Sequence, residues 1–197
     1  MVFNLIITGV GGQGNVLASQ IVGKAAVNKK LRVTVGETFG LSQRGGPVMS
    51  HVRLSEEFNC APLVPPNMAH VIVGLEPLET LRVLMEYGNK DTIFIVNSRP
   101  IYPLNVIAGD VEYPDTEKIR SVLAESGQKV YWLEATQLAL ELGEPILLNM
   151  IMLGALSALP DFPLETGDFR SALKDIFPKS KLEVNFRALD VGASLIK

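Results

Sequence analysis

Gly9-Val10-Gly11-Gly12-Gln13-Gly14 follows the apolar run Leu5-Ile6-Ile7-Thr8 and precedes a segment of helical periodicity. A strand must therefore turn tightly into a helix, with no side chains at Gly9, Gly11, Gly12 and Gly14 to obstruct the turn. The amides that open such a helix carry a positive end worth about half an elementary charge, which suits a phosphate or carboxylate. The spacing also fits the G-x-G-x-x-G dinucleotide pattern. That pattern arises equally where a helix only needs to pack closely on a strand, so ligand binding and packing both remain open at this point.

Beyond the loop, short β-branched runs alternate with helical patterns, the signature of an α/β sheet. Strands are predicted at Asn4 to Thr8, Leu31 to Val35, Val48 to Leu54, Ala69 to Gly74, Thr92 to Asn97 and Lys129 to Leu133. The Val48 to Leu54 strand, alternating with Val48, Ser50, Val52 and Leu54 on one face, reads as half-exposed, at an edge or antiparallel. Helices are predicted from Asn15 to Val27, from Pro77 to near Gly88, and from Thr116 to Gly127. From Ala135 onward only helices are expected, among them a buried one between Pro145 and Pro160 and a last one opened by a capping box at Ser180 and Glu183. The fold expected is a single domain over residues 1–197: a doubly wound, mostly parallel Rossmann-like α/β sheet with a helical C-terminal part from about residue 135.

Composition narrows the function. The chain has 197 residues, enough to bury about 70% of its unfolded surface. With 47% hydrophobic residues and a mean hydropathy of +0.25, some apolar surface is expected to face a partner. A formal net charge of -3 without Lys/Arg clusters argues against nucleic acid or an anionic membrane as partner. Cys60 is the single cysteine, which excludes an internal disulfide and any iron–sulfur site built on several thiolates of this chain. The start lacks a basic, cleavable leader, and the greasy stretch Ile146 to Leu159 falls short of the ~20 residues a bilayer span needs, so a cytoplasmic location is expected.

Ligands of such sheets bind beyond the carboxyl ends of the strands. The connection there that is densest in donors is Gly36-Glu37-Thr38-Phe39-Gly40-Leu41-Ser42-Gln43-Arg44-Gly45-Gly46-Pro47, with Glu37 to Pro47 read as loop. Glu37 stands where a Rossmann enzyme places its ribose-binding acid, and equally where a helix end or Arg44 could use it. Arg44 could clamp a carboxylate or phosphate. Gly45 and Gly46 leave room for a ligand or for another chain's backbone. The candidate binding residues are therefore Gly9, Gly11, Gly12, Gln13, Gly14, Glu37, Thr38, Gln43, Arg44, Gly45 and Gly46; no catalytic residue and no metal ligand is assigned.

The two blocks Gly9 to Gly14 and Gly36 to Arg53 resemble the gamma-type domain of the 2-oxoacid:ferredoxin oxidoreductases, nearest to the type that acts on indolepyruvate. Val71-Ile72-Val73-Gly74-Leu75-Glu76-Pro77, Phe94-Ile95-Val96-Asn97, Asn149 and Gly154-Ala155-Leu156 extend the resemblance over most of the chain. The aryl-pyruvate type is favoured because Ser42-Gln43-Arg44-Gly45-Gly46 runs on into Ser50-His51-Val52-Arg53. Subunits for pyruvate, 2-oxoglutarate and branched-chain 2-oxoacids share the general pattern. The resemblance implies oxidative decarboxylation of a 2-oxoacid on thiamine diphosphate, electrons leaving through iron–sulfur clusters to ferredoxin, and an acyl-CoA product. This chain departs from what that chemistry needs: its nearest approach to a Gly-Asp-Gly thiamine–magnesium signature, Gly109-Asp110-Val111, fails at the third position. It implies an accessory subunit, inactive alone, whose partner is a larger alpha chain carrying thiamine diphosphate, Mg and the iron–sulfur clusters, with CoA as co-substrate. The glycine loop and the Glu37 to Gly46 segment would then serve the CoA or substrate path or pack against that partner, with packing favoured.

Two other classes stand beside this one. A free-standing NAD(P)-binding Rossmann dehydrogenase would use the glycine loop and Glu37, and a Rossmann-like scaffold would use neither for catalysis. His51 and His70 read as strand residues, Tyr131 and Trp132 as packing on opposite strand faces, Met150 and Met152 as core. Cys60 is expected to be a small buried residue rather than a nucleophile.

Overall fold

The computed structural model describes residues 2–39 and 46–196. Six strands form one sheet in the order β2-β3-β1-β4-β5-β6: β1 Val2–Val10, β2 Arg32–Phe39, β3 Pro47–Ser55, β4 Val71–Gly74, β5 Ile93–Asn97 and β6 Lys129–Leu133. β1, β4, β5 and β6 pair in parallel, and β3 runs antiparallel between β1 and β2. The mostly parallel, doubly wound α/β sheet is therefore as expected, with one reversed strand near its edge.

Period-two alternation decides which helices cover which face. Leu5 and Ile7 of β1, Val71 and Val73 of β4, and Ile95 of β5 point to a core shared with α1 Asn15–Asn28, α6 Leu148–Ser157, α7 Thr166–Ile176 and α8 Lys179–Ser194. Ile6, Ile72, Phe94 and Val96 point the other way, against α2 Pro77–Tyr87 and α4 Thr116–Ser126. Two further helices, the one-turn α3 Leu104–Ile107 and α5 Ala135–Glu141, complete the set. Each fully buried Leu, Ile or Phe contributes about 1.5–3 kcal/mol by leaving water. Tyr131 and Trp132 do face opposite sides of β6, and Met150 and Met152 are core residues.

α6 is buried along its whole length because α8 crosses it backbone against backbone. A Cβ at Gly154 would strike the carbonyl of Leu189, and one at Gly192 the carbonyl of Ile151. Two glycines thus set how close the helices approach, and the apolar side chains of α6 fill the space on either side.

Several expectations need correction. β2 runs on through Gly36 and Glu37 to Phe39 in register with β3, so these residues are strand rather than loop. β3 is interior and covered on both faces, with Val52 against α1 and His51 beneath Tyr87. The edge is β2. The capping box sits at Glu165 and Asp168, at the start of α7; α8 opens after Pro178 without a side-chain cap. Ile146 lies in a 3-10 turn, Pro145–Leu147, and is 63% exposed, because the buried helix begins only at Leu148. Cys60 is half-buried. Among the described residues no helix is long and apolar enough to cross a membrane.

Candidate functional site

The carboxyl ends of the parallel strands gather the loops that follow β1, β4 and β5, and short polar side chains lock them together. Gln13 folds back over its own loop: its Oε1 accepts from Val10 N at 2.7 Å and its Nε2 donates to the Leu75 carbonyl at 2.8 Å. Asn97, at the end of β5, donates to that same carbonyl at 3.1 Å and to Thr136 Oγ1 at 3.0 Å. Asn149, at the start of α6, donates to the Gln13 carbonyl at 2.9 Å. The site is built before any ligand arrives, which lowers the ordering cost of binding.

Within the loop, Gly12 and Gly14 hold φ +108 and +87, left-handed values that side-chain-bearing residues rarely adopt. At Gly14 a Cβ would also collide with the Asn149 amide. Gly14 occupies the cap position of α1 and supplies no side-chain hydrogen bond. The first-turn amides of α1 are thus free of a side-chain cap and suit an anion. Two buried oxygens beside the loop, Asn15 Oδ1 and Asn149 Oδ1, have no hydrogen-bond partner among the described residues, a condition that calls for a donor from water or ligand.

Two cavities flank this loop. One, of about 320 Å³, is lined by Gly12, Gln13, Gly14, Arg99, Thr136 and Ile146 among others, and offers an exposed guanidinium beside the α1 amides. The other, of about 570 Å³, opens between α2 and the proline-rich strap of residues 98–115, with Leu78, Glu79, Arg82, Tyr102 and Val111 on its walls. Ile101 lines both.

The predicted site residues divide into two groups. Gly9, Gly11, Gly12, Gln13, Gly14 and Gly46 come together, with the Gly11 N–H donating to the Gly46 carbonyl at 2.8 Å. Glu37 and Thr38 lie two strands away on β2. There the Glu37 carboxylate accepts from Ser19 Oγ at 2.7 Å and from Ser50 Oγ at 2.5 Å, so the fold itself supplies a hydroxyl to each of its oxygens. Thr38 is exposed on the rim of a smaller cavity, about 240 Å³, that also reaches Arg82. Gln43, Arg44 and Gly45 lie outside the described residues.

Sequence reasoning missed Arg99, Thr136 and Arg82, and gave Glu76, Asn97 and Asn149 no role at the site. Asn97 and Thr136 were within reach, since one ends a parallel strand and the other starts the next helix. Asn149 carries no local signal, because 135 positions separate it from Gly14.

Charges around the site are held in specific states. Burial raises the Glu79 carboxyl, and the nearby Arg82 guanidinium, at 2.9 Å, opposes that shift. Burial first, then the Glu76 carboxylate, pushes the Tyr113 phenol far upward, so it stays protonated as a donor. His51 and His70 are lowered by burial and sit in the neutral form, their Nδ1 atoms accepting from Val64 N and Asn4 N. No group of three His, Cys, Asp or Glu able to hold a metal occurs among the described residues.

Comparison with known proteins matches residues 4–195 to the family of pyruvate ferredoxin/flavodoxin oxidoreductases. The chain is 37% identical to the indolepyruvate oxidoreductase subunit IorB of Thermococcus kodakarensis, over 99% of this chain and 96% of that protein. To the pyruvate synthase subunit PorC of Methanocaldococcus jannaschii it is 28% identical, over 93% of this chain and 91% of the other. The crystal structure of the pyruvate oxidoreductase subunit PORC of Thermotoga maritima shares the fold, with a TM-score of 0.72, 22% identity, and coverage of 98% of this chain and 96% of that one.

Proposed function

The chain belongs to the pyruvate ferredoxin/flavodoxin oxidoreductase family, and from that premise we propose that it serves as the gamma-type subunit of a 2-oxoacid:ferredoxin oxidoreductase of the indolepyruvate type. The observation that carries this reading is near-complete coverage of subunits named for indolepyruvate oxidoreductase, at higher identity than the subunit named for pyruvate synthase.

The chemistry is divided between chains. One cysteine cannot hold an iron–sulfur cluster, and Gly109-Asp110-Val111 lies in an exposed turn of the strap with Gly109 at φ +83, so these residues do not fit thiamine–magnesium binding. Those cofactors belong to the larger partner, which supplies carbanion chemistry and electron transfer. This chain contributes a built edge. Exposed Ile101, Tyr102 and Ile146 line the cavities beside the glycine loop and offer apolar surface suited to the larger subunit. Between them, the α1 amides, Arg99 and the Thr136 hydroxyl fit a phosphate of CoA, and the unpartnered Asn149 oxygen beside them suits an N–H or O–H donor.

Co-expression with the larger subunit, followed by CoA-dependent dye reduction with indolepyruvate, phenylpyruvate, pyruvate and 2-oxoglutarate, tests the assignment. Co-purification with preference for the aryl substrates is expected. A chain that neither co-purifies nor raises the rate removes the reading, and a preference for pyruvate moves the substrate. The dinucleotide alternative is weakened by Glu37, whose oxygens already take two hydroxyl donors. Titration with NADH, read by energy transfer from Trp132, is expected to show no micromolar binding.

A further inference from the structure

Glu76 stands at a position where a shorter residue would do the local work. It is the N-cap of α2 and only 1% exposed, and its Oε2 accepts from Glu79 N at 2.9 Å. Ser, Thr, Asp and Asn cap helices at least as well and do not bury so long a charged side chain. The extra length reaches outward. Oε1 accepts from the backbone N–H of Ile101 at 3.3 Å and from the Tyr113 hydroxyl, which in turn accepts from Leu78 N at 3.3 Å.

The two residues reached are twelve positions apart and bracket the strap. Between them lie exposed Tyr102, Ile107 and Val111 and the one-turn helix α3, with Tyr102 edge-on to Tyr113 at 5.2 Å between ring centroids. This stretch walls the 570 Å³ cavity, and Ile101 at its base also lines the cavity beside the glycine loop. One buried carboxylate therefore holds both ends of a flap that borders both cavities.

We propose that Glu76 is a positioning residue: it pins the flap of residues 101–113 at both ends, and so presets the cavities that receive substrate and CoA at the junction with the larger subunit. The pin stands on the geometry above, whereas the ligands named rest on the subunit reading of the previous section.

Tyr113→Phe is the cleaner test, because it removes one hydroxyl and leaves the Glu76–Glu79 cap and the ring contact in place. In hydrogen–deuterium exchange on the full chain, amides of residues 102–112 are expected to exchange at least tenfold faster than in the wild type, with those of α2 unchanged beyond Leu78, whose N–H loses the Tyr113 hydroxyl as acceptor. In the assembled complex, KM for the 2-oxoacid or for CoA is expected to rise at least fivefold while kcat stays within twofold. Glu76→Gln, which keeps an acceptor, is expected to fall between wild type and Glu76→Ala in both measurements. Equal exchange in Tyr113→Phe and wild type overturns the pin. Faster exchange with unchanged KM overturns the positioning role. A wild-type complex without 2-oxoacid turnover sinks the subunit reading and the ligand assignment with it, and the exchange arm still decides the pin.

Discussion

The glycine loop and the strap border the same crevice, yet they hold their shapes in opposite ways. In the loop, conformation and space are both restricted: Gly12 and Gly14 are left-handed, Gly9 packs on Leu75 and Gly14 on Asn149, and the groups that fix the loop are amides and carbonyls. The strap carries three prolines from residue 100 to 114, and a carboxylate beneath it gathers its two ends. A loop fixed by exclusion tolerates almost no substitution. A strap fixed by one polar hub can loosen without unfolding its neighbours. The difference teaches where rigidity and where adjustment reside at this edge.

The hardest blow to the loop is Gly14→Ala. A left-handed alanine costs about 1–2 kcal/mol, and displacing Asn149 leaves a buried carbonyl unpaired at about 1–3 kcal/mol more. Urea unfolding should therefore show a loss of about 2–4 kcal/mol, and a loss below about 1 kcal/mol would mean the loop is not sterically fixed. Glu76→Ala comes next, removing a helix cap and two strap bonds, with about 2–3 kcal/mol expected by the same measurement. Gln13→Ala strands Val10 N and leaves the Leu75 carbonyl to Asn97 alone, for about 1–2 kcal/mol, with no change in exchange across the strap. If strap amides respond to Gln13→Ala as they do to Tyr113→Phe, the two regions are one unit and the contrast fails.

The smallest effect is one of pH, and it belongs to neither region. The folded pKa values of His51 and His70 are lowered, so below the ordinary value of 6.5 the unfolded chain binds protons that the fold resists. Stability is then fully present above that value and falls as pH drops through it towards the folded pKa. Melting curves at pH 7 and 5.5 should show the decrease, and His51→Gln should reduce it.

Much of the fold was legible because strand and helix periods are local. The strand signal at Lys129 to Leu133 and the helix from Thr116, stopped by Gly127, match the structure almost residue for residue. The β2 extension was missed because Gly36 reads as a strand breaker, whereas eight residues in register with β3 outweigh that preference. Glu37 illustrates the same limit at the site. Its place after Val35 suggested a ligand's hydroxyls, but Ser19 and Ser50, 18 and 13 positions away, supply hydroxyls from within the fold.

By itself the sequence determined the α/β class, the glycine turn into α1 and, through its single cysteine, that no cluster is held on several thiolates of this chain, because each rests on local spacing or on simple residue counts; the family came from a resemblance spread over most of the chain. Only the tertiary structure decided that the antiparallel β3 lies inside the sheet rather than at its edge, that Asn149 closes the glycine loop, and that Glu76 joins α2 to a strap 25 residues further on. Those outcomes depend on which distant donors meet a buried acceptor, and a buried carboxylate or amide takes its role from the partners that packing brings within about 3 Å.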